Sequence, residues 1–397
     1  MLTTARASHD ARSPLVLGVL TTAMALATLP ATAVGVLAPF LLVDLGITRA
    51  GIGSLVALSA GVAGVLSPLA GRLVDRVGDR TALLLVVGIG IVGLAAMAGA
   101  PSWPVMAVAL AVSGVCRAGS NPATNRVIAT RAPRGQRGWI TGVKQSGETL
   151  AVVVGAGLLP ALALALGWRG ALLALTIATL PAIWATLRGL AAAPPRPAAD
   201  TPRARAHVRP AVYCLMAYSF AMGASGGCVS AYLPLYAHES GGLGVAAAGG
   251  VMVLAGVVAT FCRIAWGRVA EVAPSTAGTL RHLAELALLG TIVLLLAPHI
   301  GPAAMWVGAA LWGASGLGFG SVCMLAVMEE SDDASTGKGT GLVVFSFAIG
   351  STLTPPLFGY LTDSTDSYLS GLVLVAAWYV VAAGVMLSTR TRFGRQF

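Results

Sequence analysis

Apolar stretches of about twenty residues or more follow one another along nearly the whole of this 397-residue chain, separated by breaks only a few residues long. A helix needs about 20 mostly apolar residues to cross the hydrocarbon core of a bilayer. Read between charged or Pro/Gly-marked breaks, the first half holds spans near 14–42, 51–70, 81–100, 103–128, 138–166 and 168–188. The second half holds spans near 210–237, 243–268, 279–297, 302–328, 338–361 and 367–389. The cut between 138–166 and 168–188 rests on Gly167, Trp168 and Arg169 alone. Only helices or closed barrels satisfy their backbone in lipid, and runs of this length specify helices. The expected fold is an all-α membrane protein with twelve transmembrane helices.

Composition agrees. Charged residues make up 10% of the chain against about 25% in a soluble domain. The apolar excess runs along the whole length, which excludes a single anchor on a globular domain. The polar start, Met1 to Arg12, precedes an apolar stretch too long for a signal-peptide core, so 14–42 reads as a membrane helix and not a leader. A net charge of +10 could mark a nucleic-acid partner. Here the arginines fall in short loops between apolar runs, so the expected partner is the bilayer and not nucleic acid. Cys116, Cys214, Cys228, Cys262 and Cys323 are scattered singly within apolar segments, where Cys packs as a small residue. No disulfide, metal site or cofactor is expected.

Basic residues in short loops mark the cytoplasmic side. Arg72 to Arg80 holds three arginines, Arg126 to Arg137 four, and the stretch Arg188 to Arg209 five. The alternate loops hold Arg49 and Arg169 with Asp44, Glu239, Asp363 and Asp366. Both termini are therefore expected in the cytoplasm of a multi-pass protein of the cytoplasmic membrane. The Pro/Arg/Ala-rich stretch 189–209 reads as an extended linker. It divides the chain into an N-terminal six-helix half, 1–188, and a C-terminal one, 210–397. The halves echo one another: SPLAGRLVD at 67–75 matches RIAWGRVAE at 263–271, and Pro160 matches Pro356, both at a displacement of 196 positions. Two pseudo-symmetric six-helix bundles follow from that repeat.

Gly71, Asp75, Arg76, Gly78 and Arg80 lie in the loop GRLVDRVGDR between the second and third spans. It resembles the signature loop of the major facilitator superfamily, a family of secondary transporters. The departure is Asp79, where that family usually carries a basic residue. The resemblance implies a gating loop: Gly71 permits close helix approach, and Asp75 can pair with Arg76, Arg80 or a neighbouring helix. The other reading is that these charges only set topology. A second stretch, Asn121-Pro-Ala-Thr-Asn125-Arg126 followed by Gly142-Val-Lys144-Gln145-Ser-Gly147, resembles the bacterial cyanate and nitro-compound branch and related organic-anion porters. Drug–proton antiporters usually carry a central Gly-Pro in the fifth helix. Here that helix reads GAGLLP at 155–160, which weakens drug efflux as a reading.

Ionisable residues inside membrane helices are costly and mark function. Arg117 and Glu148 lie at similar depth in neighbouring antiparallel helices, and Lys144 is one turn from Glu148 on the same face. The three form a polar cluster with one excess positive charge, suited to a small anion that Arg can grip bidentately. Asn121 and Gln145 join them as candidate substrate contacts, and Glu148 is the candidate carrier of a coupling proton. A structural Arg117–Glu148 pair is the alternative. Arg263, one turn before Gly267, is a further candidate substrate contact; snorkelling to the interface is its alternative. Gly313, Gly316, Gly318 and Gly320 read as close-packing positions, with a hinge as the alternative.

The sequence thus points to a secondary active transporter, acting as a monomer, for a small organic anion. Alternatives are an efflux pump for a drug or hydrophobic metabolite, and a non-transporting membrane sensor. An enzyme is not expected, since all five histidines lie at or outside span ends and no nucleophile or metal spacing is present.

Overall fold

In the computed structural model, residues 13–133, 136–190, 209–330 and 336–393 are described. Most of the expected linker 189–209 and the side chain of Asp75 lie outside the described residues. The described residues form helices joined by short turns. They are α1 (Pro14–Val36), α2 (Ala38–Asp44), α3 (Arg49–Val77), α4 (Asp79–Ala98), α5 (Trp103–Arg131), α6 (Arg137–Thr179) and α7 (Pro181–Gly189). After the linker come α8 (Pro210–Glu239), α9 (Val245–Val272), α10 (Thr276–Ile300), α11 (Ala303–Ser315), α12 (Gly320–Glu329), α13 (Thr336–Thr365) and α14 (Tyr368–Phe393). Among the described residues, eleven stretches are long and apolar enough to cross a membrane.

The longest of these, Trp139–Gly189, contains Gly167 at φ 72° and ψ 161°. That left-handed, extended backbone is one glycine tolerates and other residues do not, so the two spans expected on either side of Gly167 are separated there. Prolines explain two further interruptions. Pro39 lies in the first turn of α2 and Pro181 opens α7, each tolerated where no i−4 hydrogen bond is needed and each breaking the run before it. The expected tenth span is broken in mid-course, at the four-residue turn Gly316–Phe319. The Gly318 N–H there donates to the Ser315 carbonyl, three residues back, at 3.1 Å.

The chain divides into two compact units. One comprises Met1–Ala33 with Leu58–Asp200; the other comprises Val34–Ala57 with Thr201–Phe397. In the first unit α4 packs against α5, α6 and α7. Gly147 of α6 lies so close to the Thr21 carbonyl of α1 that a methyl group would overlap it. Small residues take this role in lipid, where close backbone approach drives association.

In the second unit α8 is central, packed on α13, α14 and α9. Its tyrosines reach neighbouring backbone: Tyr218 donates to the Leu280 carbonyl at 2.9 Å and Tyr236 to that of Leu294 at 2.6 Å. The buried Trp312 indole donates to the Tyr379 hydroxyl at 2.9 Å, joining α11 to α14. Each aromatic thus buries a large apolar body while its polar tip finds an acceptor.

Candidate functional site

The first unit is organised around the polar face of α5. Arg117 stands fourteen residues from either end of this 29-residue helix, at its midpoint. Asn121 and Asn125 follow at i+4 and i+8 along the same stripe, and both are exposed. Thr124, three residues after Asn121, is fully buried.

Lys144 of α6 is 1% exposed and points into this face. Its ammonium donates to Asn125 Oδ1 at 2.6 Å, Thr124 Oγ1 at 3.0 Å and Asn121 Oδ1 at 3.1 Å. An ammonium has three protons and cannot accept, so all three donors are used. That settles how the two amides are turned. Their oxygens must face Lys144, which leaves both NH₂ groups, two donors each, without a partner among the described residues. Thr124 is held from its other side by donating to the Ser120 carbonyl at 2.7 Å.

Arg117 makes no hydrogen bond or ion pair with any described residue, and neither does Glu148. They share electrostatic attraction, as do Lys144 and Glu148, without direct contact. Gln145, next to Lys144, keeps its buried Oε1 without a partner among the described residues. The structure therefore brings Arg117, Asn121, Lys144, Gln145 and Glu148 into one unit. Lys144 is enclosed by α5, and Arg117 is left without a hydrogen-bond or ion-pair partner among the described residues.

Arg263 belongs to the other unit. Its guanidinium donates to the Leu317 carbonyl at 3.0 Å, its Nε is buried without a partner, and its own carbonyl accepts from Ser321 at 3.1 Å. Trp266, three residues on, donates to the Ala314 carbonyl at 2.9 Å. In an unbroken helix that carbonyl would take the Gly318 N–H. The two α9 side chains thus satisfy backbone at the Gly316–Phe319 turn, as broken membrane helices require.

In the loop GRLVDRVGDR the organising acid is Asp79, which opens α4 and is 4% exposed. It accepts from Arg126 Nε at 2.8 Å, Thr130 Oγ1 at 2.7 Å and Arg131 Nε at 3.3 Å. All three donors come from the last turns of α5, and the carboxylate also suits the positive end of α4. Sequence reasoning marks Asp79 only as a departure from the resembled pattern. Its partners are 47 to 52 positions away, and no local spacing signals them.

Removing one member of a buried ion network leaves the others uncompensated. Asp79→Ala is therefore expected to destabilise the protein by about 2–4 kcal/mol, read as a fall in Tm of the purified protein. Asp79→Arg, which supplies the charge usual in the resembled family, is expected to be worse, because it sets three cations together. An Asp79→Arg protein as stable as the native one would refute this account of the loop.

The family model of the Major Facilitator Superfamily matches residues 20–355. Solved structures share the fold at low identity. A bacterial homologue of the human lysosomal transporter Spinster, inward-facing and occupied, superposes with a TM-score of 0.80 at 17% identity, covering 96% of this chain and 97% of that one. Its inward-facing, unoccupied form gives 0.72 at 19% identity, covering 96% and 95%. The nucleoside transporter NupG gives 0.75 at 12% identity, covering 94% and 99%. The chain belongs to the major facilitator superfamily: it is a multi-pass membrane transporter and not an enzyme.

Proposed function

We propose that this transporter carries a small organic anion across the cytoplasmic membrane by alternating access, with Arg117 as the anion's main contact. The observation that carries the proposal is the stripe of unused donors on α5. Arg117, Asn121 and Asn125 present a guanidinium and two NH₂ groups with no acceptor among the described residues. A cation at the midpoint of a 29-residue helix lies ~21 Å along the axis from either end. That is too far for an Arg side chain to snorkel, so it must face protein or a water-filled cavity. An anion with two or more acceptor oxygens satisfies all these groups at once, and the bidentate grip of Arg on a carboxylate is the strongest such contact.

In this reading Lys144 is a positioning residue that turns the two amides, and Gln145 offers one acceptor to a donor on the substrate. Glu148, unbonded and within electrostatic reach of both cations, takes and releases a proton as the anion leaves and enters. Arg263 braces the Gly316–Phe319 turn and serves substrate through that turn's position. The monomer suffices as the working unit, with both termini in the cytoplasm.

The test is flux into proteoliposomes. Labelled small carboxylates are expected to accumulate, faster under an imposed proton gradient, and to compete with one another. Flux of neutral hydrophobic compounds alone, with no response to carboxylates, would replace this reading with drug efflux. No flux of any solute would revive the sensor.

A further inference from the structure

The first unit holds a cavity of about 370 Å³ with no α5 residue in its lining, between the start of α1 and the junction of α6 with α7. The sequence explains why the helices stay apart here. Pro181 has no N–H to give, so the run ending at Thr179 is interrupted before α7 begins. Much of the lining is small: Gly18 of α1, Ala178 of α6, and Ala182 and Ala185 of α7. A methyl group added at Gly18 would meet no atom within 4 Å. Val19 and Ala182, 1% and 8% exposed, form the floor, and Gly18, Ala178 and Pro181 are exposed at the mouth. One end is closed where Gly189 packs on Leu15 and Val16.

Both walls belong to stretches apolar enough to cross a membrane, Pro14–Val36 and Trp139–Gly189. The exposed neighbours of the mouth, Ile177, Leu180 and Leu187, are apolar too, so that face meets lipid. From Pro14 to Thr22 the groove follows α1 for ~12 Å, most of the ~15 Å hydrocarbon depth of one leaflet. Its Gly, Ala, Val, Leu and Pro side chains give water too few polar partners to fill it. Left empty, it would forfeit packing contacts along its whole lining.

Arg188 follows Pro181 and Ala185 at i+7 and i+3, so it continues their stripe past the groove. Its guanidinium lies 5.4 Å from the ring centre of Trp184, one turn back toward the mouth. It makes no hydrogen bond or ion pair with any described residue. Trp184 is 57% exposed, and its indole N–H has no acceptor among the described residues. A slot for an apolar chain thus ends at a cation and an aromatic N–H, a pairing that suits a phosphate ester at the membrane surface.

We infer that this groove binds an anionic phospholipid that the protein does not transport, with one acyl chain along α1 and α7 and the phosphate on Arg188. Arg188 opens the arginine-rich stretch 188–209, so the headgroup lies where basic residues gather and attract anionic lipid. The acyl chain does little to select the lipid, because bilayer tails are as apolar as the groove. Selection by charge rests on Arg188, and occupancy rests on the space at Gly18. The site shares no residue with the proposed anion site.

The test is native mass spectrometry of the full chain, purified in detergent and mixed with phosphatidylglycerol or phosphatidylcholine. The native protein is expected to retain one phosphatidylglycerol about tenfold more tightly than phosphatidylcholine, the ratio that one charge-assisted contact gives. Arg188→Gln is expected to erase that preference. Gly18→Leu, which the open space admits and the helix favours, is expected to abolish retention of both lipids. Should it fail to fold, Ala185→Leu fills the groove from α7 and is expected to do the same. Equal retention of the two lipids by the native protein, or retention that either folded variant leaves unchanged, overturns the site. Glycerol 3-phosphate binding as tightly as phosphatidylglycerol also overturns it, since the groove would then play no part. The readout needs no solute flux, so its failure is distinct from failure of the anion site. Arg117→Ala is expected to leave lipid retention as it is.

Discussion

Arg117→Ala is expected to abolish carboxylate uptake in proteoliposomes while leaving the Tm of the purified protein unchanged or slightly raised. The two halves of that result have one cause. Arg117 has no hydrogen-bond or ion-pair partner among the described residues, so its removal costs the fold no bond and relieves it of a cation in the membrane interior. The substrate, by contrast, loses its bidentate partner. Hydrogen bonds to charged groups are worth about 1.5–3 kcal/mol each, so losing two predicts a fall in uptake of about 100-fold or more. Arg117→Lys keeps the charge but not the fork, and is expected to recover only part of the flux. An Arg117→Ala protein that transports normally would remove the anion site. One that no longer folds would show that Arg117 is structural.

Lys144→Ala is expected to give the opposite signature in stability. Lys144 fills three acceptors from α5 and is 1% exposed. Without it Asn121, Thr124 and Asn125 lose their common donor, and a hole the size of the side chain opens between α5 and α6. The expected loss is about 2–4 kcal/mol, seen as a clear drop in Tm. Uptake should fall as well, because the two amides are no longer held with their NH₂ groups turned outward. Lys144→Met, which fills the space without the charge, separates the two effects. It should restore part of the Tm and little of the flux. A Lys144→Ala protein with native Tm and reduced uptake would instead make Lys144 a direct substrate contact.

Much of this architecture is legible from residues alone because hydropathy is a one-dimensional signal. The separation at Gly167 could be read from three residues, since glycine at a break between apolar runs has one plain use. The break at Gly316–Phe319 could not. A glycine-rich stretch in a membrane helix serves close packing and bending equally, and only Arg263 and Trp266, some fifty positions away, show that the carbonyls there are satisfied from outside. The same limit governs the charges. Arg117, Lys144 and Glu148 stand out because ionisable groups are rare in apolar helices, but spacing pairs Lys144 with Glu148, one turn away. Its bonded partners are two amides and a hydroxyl on another helix.

Asp79 is the sharper case. As a motif departure it reads as a flaw in the gating loop, whereas in three dimensions it is the acid that ties α4 to the arginines ending α5. In the sequence Arg49, Glu239 and Asp363 are only opposite charges near breaks that alternate with the arginine-rich ones. Their convergence depends on contacts across 190 and 314 positions.

The anion-binding group proposed at the middle of α5 is Arg117, which has no hydrogen-bond or ion-pair partner among the described residues. Its most direct test is the thermal stability of the purified protein with and without small carboxylates, native chain beside Arg117→Ala. A ligand that binds only the folded state stabilises it by about 2.7 kcal/mol at a hundred times its Kd. The account predicts a concentration-dependent rise in Tm for the native protein and none for Arg117→Ala. An equal rise in both, or a rise with neutral hydrophobic compounds only, would contradict it.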